Sequence, residues 1–259
     1  SENFKTKHKI DAKFGWYRYT TRFVFPYVVG KTFSGFTSIK ELNRVLSQKL
    51  QNLGVTTLLF MKNLESIEYK IITDNIKTEG EYLLEKKRIN GHCLLVSAIG
   101  NSSSDSNNDT IISYLKFSRR IGETSNRTVD IAFPVSISET GSYECLRSKD
   151  PYVSVYFPTE TESKLNFIVQ GPYRTTPNRS SIPADDEDNR LLAKETATLL
   201  RQTILELKEE GKLNMSFVKT LPVSSKNFEN YDLFKPLYEV VVSLFSTKEV
   251  MPCRDGGYV

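Results

Sequence analysis

The strongest constraint on this chain is a succession of strand-like segments with no long helical period between them. Cys93–Ile99 is an apolar run, and Ile111–Arg120 and Thr128–Ser136 are rich in apolar and β-branched residues. Val153–Pro158 and Leu165–Gln170 follow, separated by the charged turn Thr159–Lys164, and read as a hairpin or as a strand pair joined across a loop. The polar stretch Asn101–Asp109 is a loop. Helical periodicity lies on either side of this block. Ser38–Leu53 carries Ile39, Leu42, Leu46, Leu50 and Leu53 at spacings of three and four, with Ser38 as N-cap and Gly54 as stop. After the block, Asp185, Asp186 and Glu187 open a helix whose apolar face is Leu192, Leu199, Thr203 and Leu207, widened by Leu200 and Ile204 and ended by Gly211. Asp232–Phe245 is a further helix, with Pro236 interrupting it early. Arg18–Val29 and the buried run Thr56–Asn63 are expected strands, and Ile67–Ile72 is expected to be the hairpin partner of the latter. The order strand, helix, many strands, helices suits an α+β or α/β protein. We expect an α+β fold of mixed sheets with helices packed on one face, divided near residues 75–92.

Composition removes several functional classes. The net charge of +4, from 35 basic and 31 acidic residues, is too small and scattered to imply nucleic acid. Cys93, Cys145 and Cys253 are odd in number and far apart, which argues against a disulfide framework and for a reducing compartment. No signal peptide opens the sequence and no apolar stretch approaches the ~20 residues of a membrane helix, so the expected location is cytoplasmic or nuclear, with no membrane partner. Only His8 and His92 are histidines, and no Cys or His pair has metal spacing, so no metal site is expected. There is no Gly-x-Ser-x-Gly elbow and no Gly-x-x-x-x-Gly-Lys loop, so this chain is not expected to be an enzyme by itself. The abrupt strand-like start and the terminal turn Arg254–Val259 suggest a segment of something longer.

The segment FIVQGPYRTTPNRSSIPADDEDN, Phe167–Asn189, joins the last strand to the long helix. It places Arg174 and Arg179 on a loop stiffened by Pro172, Pro177 and Pro183. Two uses of these arginines stand side by side: presenting a cation to an anionic ligand, or capping carbonyls and pairing with Asp185, Asp186, Glu187 or Asp188. The acidic run itself is explained by helix N-terminal charge more simply than by magnesium. Lys86–Lys87–Arg88 reads as a solvated turn, with nucleic-acid contact as the alternative. The aromatics Phe14, Trp16, Tyr17, Tyr19, Phe23 and Phe25 read as a packed strand or a docking surface.

Val153–Ile182 resembles a signature of the sacsin-like members of the GHKL ATPase superfamily, relatives of the ninety-kilodalton heat-shock chaperone and of MutL. The matching positions are Phe157–Pro158, Glu160–Thr161, Leu165 to Val169, Gly171, Asn178–Arg179 and Ile182, with Ser180 where the family has a second arginine. Thr56–Tyr69 is similar to that family's Leu-Leu-Phe-Leu-Lys-Asn-Ile strand, and PCRDGGYV at residues 252–259 to its Pro-Thr-x-Asp-Gly-Gly-Tyr-Val turn. The resemblance implies a transducer, or middle, domain. It implies the tail end of an ATPase domain over residues 1–75, the transducer over 76–215 with its arginine loop, and a helical connector over 216–259. The family's nucleotide pocket is not found in this chain, so ATP and magnesium are implied for the full-length protein and not for this segment alone. The implied partners are the preceding nucleotide-binding domain, a client protein and a second copy in a homodimer. The resemblance points to Arg179 as the cation delivered to the γ-phosphate, with Arg174 second, and to Asn178, Thr175 and Thr176 as cofactor-binding residues. Residue chemistry alone leaves open a non-catalytic protein- or nucleic-acid-binding module.

Overall fold

The computed structural model describes residues 38–51, 53–72, 77–102, 110–122, 125–149, 152–228 and 232–259. The expected strand Arg18–Val29 and the aromatic cluster Phe14–Phe25 lie outside the described residues, as does most of the Asn101–Asp109 loop. The chain divides into two compact units, Ser1–Lys49 and Leu50–Val259. Of the first, the described part belongs to helix α1 (Ile39–Gln51), which starts as its sequence requires, the Ser38 hydroxyl accepting from the Glu41 amide at 3.2 Å.

The second unit is an α+β fold built on one nine-stranded mixed sheet. Its strands are β1 (Ser66–Ile72), β2 (Lys77–Arg88), β3 (Cys93–Ser102), β4 (Thr110–Arg120), β5 (Thr128–Ile137), β6 (Tyr143–Cys145), β7 (Tyr152–Val155), β8 (Phe157–Glu162) and β9 (Ile168–Gln170). The spatial order is β1-β2-β3-β4-β5-β9-β7-β8, with β6 pairing β5 beyond β9. The first five strands form an antiparallel meander, and the one parallel step is β7 against β9, at Ser154 and Gln170. The helices are α2 (Glu187–Glu209), α3 (Met215–Val218) and α4 (Lys235–Thr247).

β5 is buried continuously from Val129 to Val135, because both of its faces are covered. On one face Phe133 meets Phe167 and Phe217 at ring separations of 4.6 Å each, and Leu192, Leu200 and Ile204 of α2 close over them with Leu237, Val241 and Leu244 of α4. The opposite face carries Tyr69, Tyr82, Val96, Tyr114 and Ala132, packed under Leu58, Leu59 and Phe60. Pro134 is tolerated inside β5 because its carbonyl accepts from Leu146, so the missing N–H points to the same side, where the neighbour changes from β9 to β6.

Several expectations need correction. Thr56–Asn63 is not a strand: Val55–Leu58 is a 3-10 helix running into a turn, and the consecutive apolar residues Leu58, Leu59 and Phe60 all bury from that turn. Ile67–Ile72 is a strand, yet its partner is β2 and not Thr56–Asn63. Residues 77–88, left unassigned by the sequence, form that partner. Val153–Pro158 is broken at Tyr156 into β7 and β8, so most of the expected charged turn Thr159–Lys164 belongs to β8. Pro236 sits in the first turn of α4, where it interrupts nothing. The boundary expected at 75/76 falls between β1 and β2 of one sheet, and that at 215/216 falls at α3. Lys86 and its neighbours lie on exposed β2, Lys86 pairing with Glu65 at 2.8 Å.

Candidate functional site

The segment between β9 and α2 runs from Gly171 to Asp186 and is fastened at several points. Tyr173 is buried, its hydroxyl 3.1 Å from the Thr196 hydroxyl and its ring edge-on to Phe234 at 5.9 Å. Burial pushes the Tyr173 phenol well above the ordinary range, so it stays a neutral anchor. Gly171 makes this tuck possible, because a Cβ there would lie 2.7 Å from the Tyr173 ring.

The main anchor is Asn189, fully buried in the first turn of α2. Its amide oxygen accepts from the Arg174 N–H at 2.8 Å, and its amide nitrogen donates to the carbonyls of Arg174 and Pro183, both at 3.0 Å. One side chain thus ties the beginning of the loop to its end. Asn189 is itself fixed through its backbone, whose N–H is taken by the carboxylate of the N-cap Asp186 at 3.0 Å. That bond, followed by Arg174, holds the Asp186 carboxyl below its ordinary value.

Between these ends lies a tight turn. The Arg179 N–H donates to the Thr176 carbonyl at 2.8 Å, with Pro177 following Thr176 as a β-turn favours, and the Thr176 N–H donates to Ser181 O at 3.0 Å. Asn178 Oδ1 accepts from the Thr176 hydroxyl at 2.9 Å and from Ser180 Oγ at 2.8 Å. Thr176 and Asn178, two of the expected cofactor-binding residues, therefore use their polar atoms to build the turn. Thr175 is half-buried beside them.

The two arginines part company here. Arg179 has φ 61°, and its guanidinium donates to the carbonyls of Val155 at 3.0 Å and Phe157 at 2.9 Å. Those carbonyls flank Tyr156, itself at φ 64°, whose N–H is taken by the buried Gln170 side chain at 3.1 Å. The Arg179 carbonyl also accepts from Glu160 N–H at 3.3 Å, so one residue covers the edge strand β8 with both its backbone and its side chain. Arg174, in contrast, is held by its backbone and turns outward: its side chain is 68% exposed, pairing with Asp186 at 3.2 Å and more distantly with Asp188 at 3.8 Å. Of the two uses the sequence left open, both arginines here adopt the intramolecular one, Arg179 by capping carbonyls and Arg174 by pairing with the helix carboxylates.

The flank of α2 beside Arg174 is a row of acceptors one heptad apart. Asp188 takes Arg127 at 2.8 Å, Glu195 takes Arg119 at 2.7 Å and Gln202 takes Arg119 at 3.0 Å, which straps the β4–β5 hairpin to the helix. Asn189 and Arg127 carried no role in the sequence, whereas Asp188 was among the carboxylates expected to pair with a loop arginine. Asn189 had one usable signal, a short polar residue three positions after the cap and level with the apolar face of the helix.

Elsewhere, Cys93 and Cys145 line a cavity of about 290 Å³ with Leu115, Leu207 and Phe217, and burial pushes both thiols up to about 12, so neither is an activated nucleophile. No group of three His, Cys, Asp or Glu residues able to hold a metal ion occurs among the described residues. No helix among them is long and apolar enough to cross a membrane. Comparison with family models, curated proteins and solved structures gives no match to this chain.

Proposed function

We propose that this chain is the transducer segment of an ATP-dependent, chaperone-like GHKL protein, coupling ATP hydrolysis in a preceding domain to a change of shape. The ordered resemblance motifs motivate the reading, and the observation that carries it is the contrast between the loop's rigid backbone and its outward Arg174. A guanidinium presented on a pre-stiffened loop loses little further freedom on meeting a phosphate, and its donor fork matches phosphate oxygens. On this reading Arg174, not Arg179, is delivered to the γ-phosphate, because withdrawing Arg179 uncovers the carbonyls on either side of Tyr156.

In the protein that carries the nucleotide-binding domain together with this chain, Arg174→Ala lowers ATP hydrolysis by about a hundredfold or more, the scale of a lost transition-state cation. Nucleotide affinity changes less than about threefold, since the cation acts mainly on the transferring phosphoryl group. Wild-type turnover in a folded Arg174→Ala protein overturns the assignment.

A second reading, a non-catalytic peptide-binding module, draws on a groove of about 640 Å³ beside β4 and β5. Exposed Ile111, Ile137 and Leu146 line it together with Arg147 and Lys149, a composition suited to an acidic peptide with apolar anchors. That reading requires a bound partner released by salt and by Leu146→Asp.

A further inference from the structure

Asp186 and Asp188 both face Arg174, but they are not equivalent. Asp186 is committed to the backbone as the N-cap of α2, accepting from Asn189 N–H. Asp188 has no such duty: among the described residues its carboxylate meets only two guanidinium groups. Its Oδ2 is 2.8 Å from Arg127 Nη2 and 3.8 Å from Arg174 Nε. Arg127 comes from the β4–β5 connection and Arg174 from the β9–α2 loop, so two separate elements converge on a single carboxylate oxygen. We propose that Arg127 and Arg174 form a clamp for a phosphate-type oxyanion, and that Asp188 plugs it from within.

The chemistry supports displacement. Both arginine side chains and the Asp188 side chain are partly exposed, at 37%, 68% and 25%. Ion pairs in such surroundings are weak because water screens them. A dianionic phosphoryl group offers three acceptor oxygens and twice the charge of the carboxylate it replaces, and guanidinium groups can receive it in bidentate fashion. Asn189 holds the main chain at Arg174, and the Arg127 N–H donates to Ser125 Oγ at 3.0 Å, so both backbones stay in place when Asp188 leaves. The clamp deepens the transducer reading and rests on it for the physiological source of the ligand, the terminal phosphoryl group of a nucleotide. Asp188 then acts as a built-in competitor at the point where the two arginines meet, while Asp186, at 3.2 Å, pairs with Arg174 from the other side until a better anion arrives.

Asp188→Asn removes the plug and keeps the shape. Inorganic phosphate is titrated against the whole 259-residue chain, with chloride at equal ionic strength as control. The unplugged variant is expected to bind phosphate at least fivefold more tightly than the wild type, and adding Arg127→Ala is expected to erase that gain. Asp188→Ser is the second variant should the asparagine form fail to fold. Unchanged affinity in the folded unplugged variant, or a gain that survives Arg127→Ala, overturns the clamp. ATP titrated against the same variants tells the source: a gain equal to that of inorganic phosphate identifies a bare phosphoryl ligand, and a larger one a nucleotide. A clamp without an effect of Arg174→Ala on hydrolysis removes the transducer reading alone, and the reverse result removes the clamp alone.

Discussion

The two halves of the segment between β9 and α2 are held by opposite means. Around Arg174 the main chain is fixed by a neighbour, Asn189, and the side chain is left outside. Around Arg179 the side chain is itself the fastener, bridging two carbonyls across a turn whose backbone is in the left-handed region. Two arginines five positions apart on one loop therefore differ in what they can be asked to do. A cation that holds the fold cannot be lent out without loosening a strand edge, whereas one fixed through its backbone, with only partly exposed carboxylates on its side chain, can exchange partners at small cost.

Asn189→Ala strikes hardest at this contrast. It strands the Arg174 N–H and two carbonyls in a part-buried setting, and unfolding by urea is expected to show a loss of about 2 kcal/mol. Gly171→Ala comes next: its Cβ has to displace the Tyr173 ring, for a loss of about 2 kcal/mol, with Tyr173→Leu recovering part of it in the double variant. Arg179→Ala forfeits two charge-assisted bonds to carbonyls, and about 1.5 kcal/mol is expected. Arg179→Gly sharpens this, because glycine is at ease at φ 61° and offsets part of the lost bonding, so the glycine variant melts above the alanine one. The smallest effect is that of pH. Asp186 is held below its ordinary value of 3.8, so the stability it lends to the loop is complete above that value. It fades as pH falls through the lowered one. The protection of the Asn189 amide against exchange, relative to its intrinsic rate at each pH, is expected to fall in that acid window in the wild type, and not in Asp186→Asn.

The same contrast marks what the sequence could disclose. The inward face of α2 and the runs of β3, β4 and β5 were legible because their apolar periods are long and every marked residue of the α2 face is buried. β2 was hidden because KTEGEYLLEKKR shows its period of two only through Thr78, Tyr82 and Leu84. The gap in that row at Gly80 is filled from across the sheet by Tyr69, whose ring lies where a Cβ would stand. Thr56–Asn63 misled because a short apolar run buries equally well from a strand or from a turn. In the loop, the prolines and arginines announced a stiff cationic segment. Which arginine was spent on the fold was not legible, since the carbonyls of Val155 and Phe157 become neighbours only once Tyr156 breaks the strand. Arg127 and Asp188 lie 61 positions apart and meet only through the packing of α2 on the β4–β5 hairpin.

The most direct test of the central claim is a crossed measurement on Arg174→Ala and Arg179→Ala in the protein that carries the nucleotide-binding domain: ATP turnover per folded molecule beside the urea midpoint. Arg174→Ala is expected to lose turnover while its midpoint stays, and Arg179→Ala to lower the midpoint while its folded fraction keeps turning over. Loss of turnover in folded Arg179→Ala, with Arg174→Ala active, contradicts that claim.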